Sequence, residues 1–162
     1  MAKANGAKRG GPLFSVEPVA WRDISLGAVA LKNGKRMRLT LGVGSGLALR
    51  SGDPDGTIWA IADRGPNLKV ETAIARYGLT HLQHLAKLDG AKLMPRPDFG
   101  PTLCELKLKN GAVTLVRQIP VRSRGGKAIS GLPALSGNGM EPAFDLDGNE
   151  LGVDPSGQIR RV

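Results

Sequence analysis

The segment 59–67 holds the densest set of residues that could do chemistry. Asp63 and Arg64 directly follow an apolar run and precede a Gly-Pro-Asn sequence, whose residue types favour a turn. If the apolar run is a strand, both charged side chains emerge where that strand ends. A carboxylate can bind a metal ion or act as a base, and a guanidinium can hold a phosphate through paired hydrogen bonds. An Asp–Arg pair that only stabilises the turn fits the same residues, so both interpretations stay open.

Other motifs resemble known sites but lack an essential part. The glycine-rich segment 42–46 lacks the third glycine of a dinucleotide-binding loop and the lysine of a P-loop, so a flexible approach to a strand is predicted. His81 and His84 can share a helical face, but two imidazoles without a neighbouring acid or cysteine make a poor metal site. Surface or capping roles are predicted for them. Segment 145–150 has its glycine too early for a calcium-binding EF-hand loop, which predicts a tight turn.

The candidate residues need strands to position them, and the sequence predicts three hairpins. Each has turn-forming residues between two extended runs, and Asn-Gly pairs favour the positive φ angles of type I′ turns. The predicted hairpins are 28–41, turning at Asn33-Gly34; 46–63, turning at 52–56; and 102–117, turning at Asn110-Gly111.

A different periodicity separates the second and third hairpins. Leucines at helical spacing over 71–88 predict a helical insertion, which Gly78 divides into two short helices. Glycine, serine, arginine and proline dominate 120–139, which predicts a long loop. A tight turn between short strands is predicted over 143–151.

Composition narrows the classes of protein that the chain can belong to. The 162 residues include 23 Gly and 11 Pro with only 4% aromatics, which favours short strands and many turns over a helical bundle. The single cysteine, Cys104, excludes an internal disulfide framework, and its strand position predicts a small buried residue. No apolar run is long enough to span a membrane, and no signal peptide is recognisable, so a soluble, unexported protein is expected.

The formal net charge of +9 favours anionic partners. Nucleic acid is disfavoured, because the basic stretches lack the interleaved aromatic residues on which bases stack. Residues 1–12 are predicted to be a flexible basic tail, and 13–162 to form the folded part.

Five segments together resemble one bacterial family, described by the esterase-like activity of phytase. They are Gly44-Ser-Gly-Leu-Ala, Ile58-Trp-Ala-Ile-Ala-Asp-Arg-Gly-Pro-Asn, Phe99-Gly-Pro-Thr-Leu-Cys-Glu-Leu, Ile129-Ser-Gly-Leu-Pro and Glu141-Pro-Ala-Phe-Asp. The resemblance implies a phytase-like β-propeller and hydrolysis of small anionic phosphoester or ester substrates. It also implies a divalent metal such as calcium, and export. The family continues with further acidic segments where this chain has Gln158-Ile-Arg-Arg-Val, so an N-terminal portion of the domain is expected.

The resemblance and the residue chemistry together assign roles to four residues. Asp63 is expected to bind metal or activate water, and Arg64 to clamp an anionic group as a catalytic and substrate-binding residue. Asn67 is expected to orient substrate. Glu141 is expected to be a second catalytic and metal-binding acid that reaches the same mouth.

The predicted fold is mainly β, an incomplete β-propeller-like antiparallel meander with a short helical insertion. Such a fold leaves open sheet edges, through which self-association is expected. A second hypothesis about function is a non-catalytic β module that uses its positive charge to bind anionic polymers or ligands.

Overall fold

Strands form where apolar and polar residues alternate, and one helical insertion interrupts them. The computed structural model describes residues 16–133 and 141–152. Its strands are β1 (Ala20–Trp21), β2 (Ile24–Ala30), β3 (Arg36–Leu41), β4 (Gly46–Ala48), β5 (Thr57–Ala62), β6 (Leu68–Lys69), β7 (Lys92–Leu93), β8 (Thr102–Lys109), β9 (Ala112–Pro120) and β10 (Ala143–Phe144). Helix α1 spans Val70–Tyr77, and 3-10 turns occupy Thr80–Leu82 and Leu85–Lys87. Strand accounts for 38% and helix for 11%, which makes the chain mainly β as predicted.

The largest sheet has five strands in the order β1-β9-β8-β5-β4. Its neighbours from β4 to β9 pair antiparallel, and the central pairing sets Ala60 opposite Cys104, both fully buried. β1 adds a short parallel pairing at Ala112 and Val113. The sheet is open and strongly curled like half of a barrel, which fits an incomplete β-propeller-like meander. The predicted fold class is confirmed.

Two hydrophobic clusters hold the sheets together. The five-stranded sheet covers one cluster, which includes Leu41, Ala60 and Cys104. The other lies under the β2–β3 hairpin, α1 and the three-stranded sheet β10-β7-β6. Leu26 packs against both clusters and joins them. Burial alternates strictly along β3, as its sequence predicts.

All three predicted hairpins form, but their two Asn-Gly turns differ. Asn110 and Gly111 both have positive φ, 52° and 71°, as a type I′ turn requires. At the first turn only Gly34 has positive φ. The side chain of Asn33 instead accepts from the Lys35 amide and donates to the carbonyl of Tyr77, at distances of 3.2 and 2.8 Å. The first turn is therefore shaped by a contact with the end of α1.

The helical insertion ends its first half at Gly78, as predicted. Gly78 has φ 72° and its amide donates to the Ile74 carbonyl, which closes the last turn of α1. The predicted second helix is instead the pair of 3-10 turns, with Leu82 and Leu85 buried. In the described residues, no helix has the length and apolar character needed to cross a bilayer.

The minor motifs adopt the structural roles predicted for them. The carboxylate of Asp145 accepts from the Asp147 and Asn149 amides and from the Asn149 side chain, so it closes a tight turn. These hydrogen bonds lower its pKa, although partial burial acts in the opposite direction. His81 donates to the Leu146 carbonyl and His84 to the His81 carbonyl, both at 3.1 Å. The predicted tail 1–12, residues 134–140 of the predicted loop and the final residues from 153 lie outside the described ranges.

Candidate functional site

The end of β5 presents the two charged residues as the sequence predicts. Ala60 and Ala62 point into the core, with exposed fractions of 1% and 0%, and the strand stops after Ala62. The next side chains emerge: Asp63 is 62% exposed and Arg64 is 32% exposed. A buried apolar strand therefore anchors a charged loop at the surface.

Close backbone packing holds that loop in place. A side chain at Gly65 would overlap the carbonyl oxygen of Phe99, and one at Gly100 would overlap that of Ile129. A Cβ at Gly131 would lie 2.6 Å from the Phe99 oxygen and 3.1 Å from the Gly65 nitrogen. These contacts bring together three of the segments on which the family resemblance depends. Glycine is required at each position because backbone meets backbone.

Arg64 is the centre of a charged cluster. Its Nη1 donates to Glu141 Oε2 at 2.7 Å, and its Nε lies 3.8 Å from Asp63 Oδ2. Glu141 Oε1 lies 3.6 Å from Lys92 Nζ. The backbone holds Lys92 close to Glu141, because the Lys92 amide donates to the Pro142 carbonyl where β7 pairs with β10. Asp63, Arg64 and Glu141 are thus connected through one guanidinium, across 77 residues of sequence.

The cluster favours the ionised form of Glu141. Partial burial alone would raise the pKa of its carboxyl group. The hydrogen bond from Arg64 and the charges of Lys92 and Arg64 outweigh burial, and the pKa falls below its ordinary value. Glu141 therefore stays a carboxylate that binds cationic side chains.

The two acids of the cluster line different clefts. Asp63, Arg64 and Asn67 line a cleft of about 510 Å³ together with the loop 42–45. Glu141 instead lines a cleft of about 440 Å³ with Lys92. The shared mouth expected for Asp63 and Glu141 stays a prediction. The two carboxylates contact the same guanidinium but line separate clefts.

The arrangement does not fit a cation that bridges Asp63 and Glu141. Calcium requires several oxygen ligands. Both oxygens of Glu141 face cationic nitrogens, and Asp63 also lies beside the guanidinium. A metal ion would have to displace Arg64, so a calcium site at these two residues stays a prediction without geometric support.

Comparison with known proteins gives no match. Neither a protein family, nor a curated protein, nor a solved structure matches the chain.

The glycine-rich loop is the part of the site that sequence reasoning set aside. The amides of Gly44 and Ser45 donate to the Ile61 carbonyl at 3.3 and 3.1 Å, and this places the loop against Asp63. The predicted second hairpin already contained the information needed to place this loop beside Asp63. Its register sets Gly46 opposite Ile61, so the residues before Gly46 must lie beside those after Ala62.

These groups suit the binding of an anion next to an exposed base. Only Nη1 of Arg64 is used by a hydrogen bond in the described residues, which leaves further N–H groups for a ligand. The side-chain amide of Asn67, which also lines this cleft, donates to the Gly65 carbonyl at 3.1 Å and is thereby held against the loop. The exposed Ser45 and Thr40 add hydroxyl groups to the same walls.

Proposed function

We propose that the chain is a hydrolase of small phosphoester or ester substrates and that its reaction takes place in the 510 Å³ cleft. One observation carries the proposal: an exposed carboxylate, Asp63, lies beside Nε of a guanidinium whose Nη1 is bound by Glu141. The resemblance to the family with the esterase-like activity of phytase supports the same reaction class, because its segments converge on this loop.

In the proposed reaction, Arg64 and Asn67 bind and orient the substrate. The guanidinium binds the phosphoryl or carbonyl oxygen and stabilises the negative charge that develops there. Asp63 removes a proton from a water molecule, and the water oxygen bonds to the phosphorus or carbonyl carbon. The bond to the leaving oxygen breaks, and the proton on Asp63 passes to that oxygen. The products are an alcohol and an acid.

Glu141 has a positioning role in this proposal. Its contact with Nη1 restricts the guanidinium to one orientation, since Lys92 and the β7–β10 pairing fix the carboxylate itself. Preorganised charge of this kind lowers the reorganisation needed in the transition state. No step of the reaction passes through a metal ion.

Substitution of the two central residues tests the proposal. The assay measures hydrolysis of 4-nitrophenyl phosphate and 4-nitrophenyl acetate by the whole chain. We expect Asp63→Asn to reduce kcat about 10²- to 10⁴-fold, the usual contribution of a general base. Arg64→Ala is expected to reduce kcat about 10²-fold or more, as the loss of an oxyanion donor does. Asp55→Asn is the matched control, because Asp55 is an exposed acid in the turn before β5.

Three results separate the alternatives. Unchanged hydrolysis in both variants would refute the assignment of Asp63 and Arg64. Salt-sensitive binding of DNA or polyphosphate without turnover would support the binding-module hypothesis instead. Activity that disappears with EDTA and returns with calcium, in the wild type only, would revive the metal site at Asp63.

A further inference from the structure

A second, smaller cleft adjoins the proposed active site. It measures about 170 Å³ and lies between β3 and α1. The two clefts share Thr40, Pro66 and Asn67 as lining residues, so they meet along one wall. The two clefts are therefore adjacent.

Two arginines at the smaller cleft have no acidic partner in the part of the chain that the structure describes. Arg38 on β3 and Arg76 on α1 both line it, both are exposed, and neither forms an ion pair within the described residues. Four other arginines each bind a carboxylate, namely Arg50, Arg64, Arg96 and Arg117. Like charges that line one concave surface repel each other, and a bound anion would relieve that repulsion.

Apolar side chains make up most of the remaining lining, beside the polar Thr40, Asn67 and Thr72. Pro66, Leu68, Tyr77 and Pro95 are partly buried there. The guanidinium of Arg76 lies 5.6 Å from the centre of the Tyr77 ring, a distance at which cation and ring attract. A cavity of roughly 150 Å³ lined by apolar side chains can hold one benzene molecule, so this cleft is large enough for a single ring.

We propose that the smaller cleft binds an organic anion, in which an apolar or aromatic body carries a carboxylate or phosphate group. Arg38 and Arg76 bind the charged group, while the two prolines, Leu68 and Tyr77 contact the body. The next step rests on the proposed function: in the proposed hydrolase, the smaller cleft holds the part of the substrate remote from the bond that breaks. The preferred substrate is then an ester whose far end is both apolar and acidic.

Direct binding tests the site without using activity. Tyr77 is the single tyrosine of the chain, so its ring protons in an NMR spectrum report on this cleft alone. The probes are benzoate, benzyl alcohol and inorganic phosphate, each titrated against the whole chain. We expect benzoate to shift the Tyr77 signals and to bind about tenfold more tightly than the other two, because only benzoate has both the ring and the charge.

Arginine variants test which side chains bind the carboxylate of benzoate. Arg38→Ala and Arg76→Ala are each expected to weaken benzoate about tenfold, the usual cost of losing a hydrogen bond to a charged group. Arg36→Ala is the matched control. Arg36 is also exposed on β3 and also lacks an ion pair within the described residues, but it does not line the cleft.

Each outcome decides the proposal. Equal affinity for phosphate and benzoate, equal loss in the Arg36 variant, or no shift at Tyr77 would overturn it. Benzoate binding with the expected dependence on Arg38 and Arg76 supports the site even if no hydrolysis is found, in which case only the proposed function fails. If hydrolysis is found, Arg38→Ala is expected to raise KM about tenfold for a carboxyphenyl ester, with kcat and the KM for the unsubstituted phenyl ester unchanged.

Discussion

The guanidinium of Arg64 meets two carboxylates whose surroundings differ. Asp63 is 62% exposed and its nearest oxygen lies 3.8 Å from Nε, whereas Glu141 is 34% exposed and accepts a 2.7 Å hydrogen bond. The shorter contact fixes the arginine, and the longer one leaves Asp63 accessible to water and ligand. In the proposed reaction, this difference favours Glu141 as the positioning residue and Asp63 as the general base.

The lowered pKa of Glu141 predicts how its contribution to stability depends on pH. A carboxyl group whose pKa is lower in the folded than in the unfolded state stabilises the fold above its ordinary pKa, 4.5 for Glu141. That contribution disappears as the pH falls through the lowered value. We expect Glu141→Gln to reduce the free energy of unfolding at pH 7 by about 1 kcal/mol, a modest figure because solvent screens the pair. The difference from wild type should therefore shrink as the pH falls below that ordinary pKa.

Urea unfolding at pH 7, 5 and 3, followed by tryptophan fluorescence, measures this dependence. Glu150→Gln is the control, since Glu150 is exposed and has no ion pair in the described residues. A difference that is equal at all three pH values, or that grows as the pH falls, would contradict the role of the Glu141 carboxylate.

At the scale of elements, turn chemistry was enough to predict the three hairpins. Asn110 and Gly111 form their turn from local preferences alone, so the sequence predicts its geometry as well as its place. Asn33 differs because its side chain binds the carbonyl of Tyr77, a partner 44 residues away. A local pattern contains no information on such a contact. The sequence therefore predicted where the first hairpin turns but not how.

The glycine contacts beneath the site predict a steric effect on stability. A Cβ at Gly100 would overlap the Ile129 carbonyl, although its φ is not in the left-handed region. We expect Gly100→Ala to lower the free energy of unfolding by about 3 kcal/mol, the upper range for overpacking, because the opposing atom is backbone and cannot rotate away. Urea titration at neutral pH measures the change.

Gly125→Ala is the matched control for Gly100→Ala. Gly125 also lies in a loop, and its own φ is not positive. The nearest atom to a Cβ at Gly125 would be the Ser123 hydroxyl at 3.9 Å. We expect a change of less than about 1 kcal/mol, in either direction. If the two variants lost equal stability, the close packing of the 99–101 and 129–131 segments would not hold the loop in place.

At the scale of the whole molecule, the site depends on contacts between distant segments. Periodicity and turn residues predict where Asp63 and Arg64 lie, because a single strand and the turn after it position both residues. Glu141 reaches Arg64 only through the pairing of β10 with β7, and the adjoining cleft needs β3 and α1 together. Local sequence patterns could therefore predict neither that Asp63 and Glu141 line different clefts nor that the smaller cleft forms. The segments quoted for the family resemblance include Asp63, Arg64 and Glu141, but the resemblance does not indicate which cleft each acid lines.

The open edge of the five-stranded sheet predicts self-association. β1 pairs with β9 only at Ala112 and Val113, so the rest of β9 has no further strand beside it among the described residues. Val116 and Ile119 on that stretch are 56% and 38% exposed. Unpaired strand edges with exposed apolar side chains favour pairing with a second chain. The net charge of +9 opposes it, but at physiological salt charges are screened beyond about 8 Å.

We therefore expect association that strengthens with protein concentration and with added NaCl, measured by sedimentation velocity. Val116→Lys should shift the chain towards monomer, because a charge on an edge strand hinders pairing. Gln83→Lys adds the same charge at an exposed position between the two 3-10 turns and is expected to leave association unchanged at moderate salt. Equal shifts in both variants would attribute the effect to net charge rather than to the β9 edge. A wild-type chain that stays monomeric at every salt and protein concentration would show that the edge does not recruit a second copy.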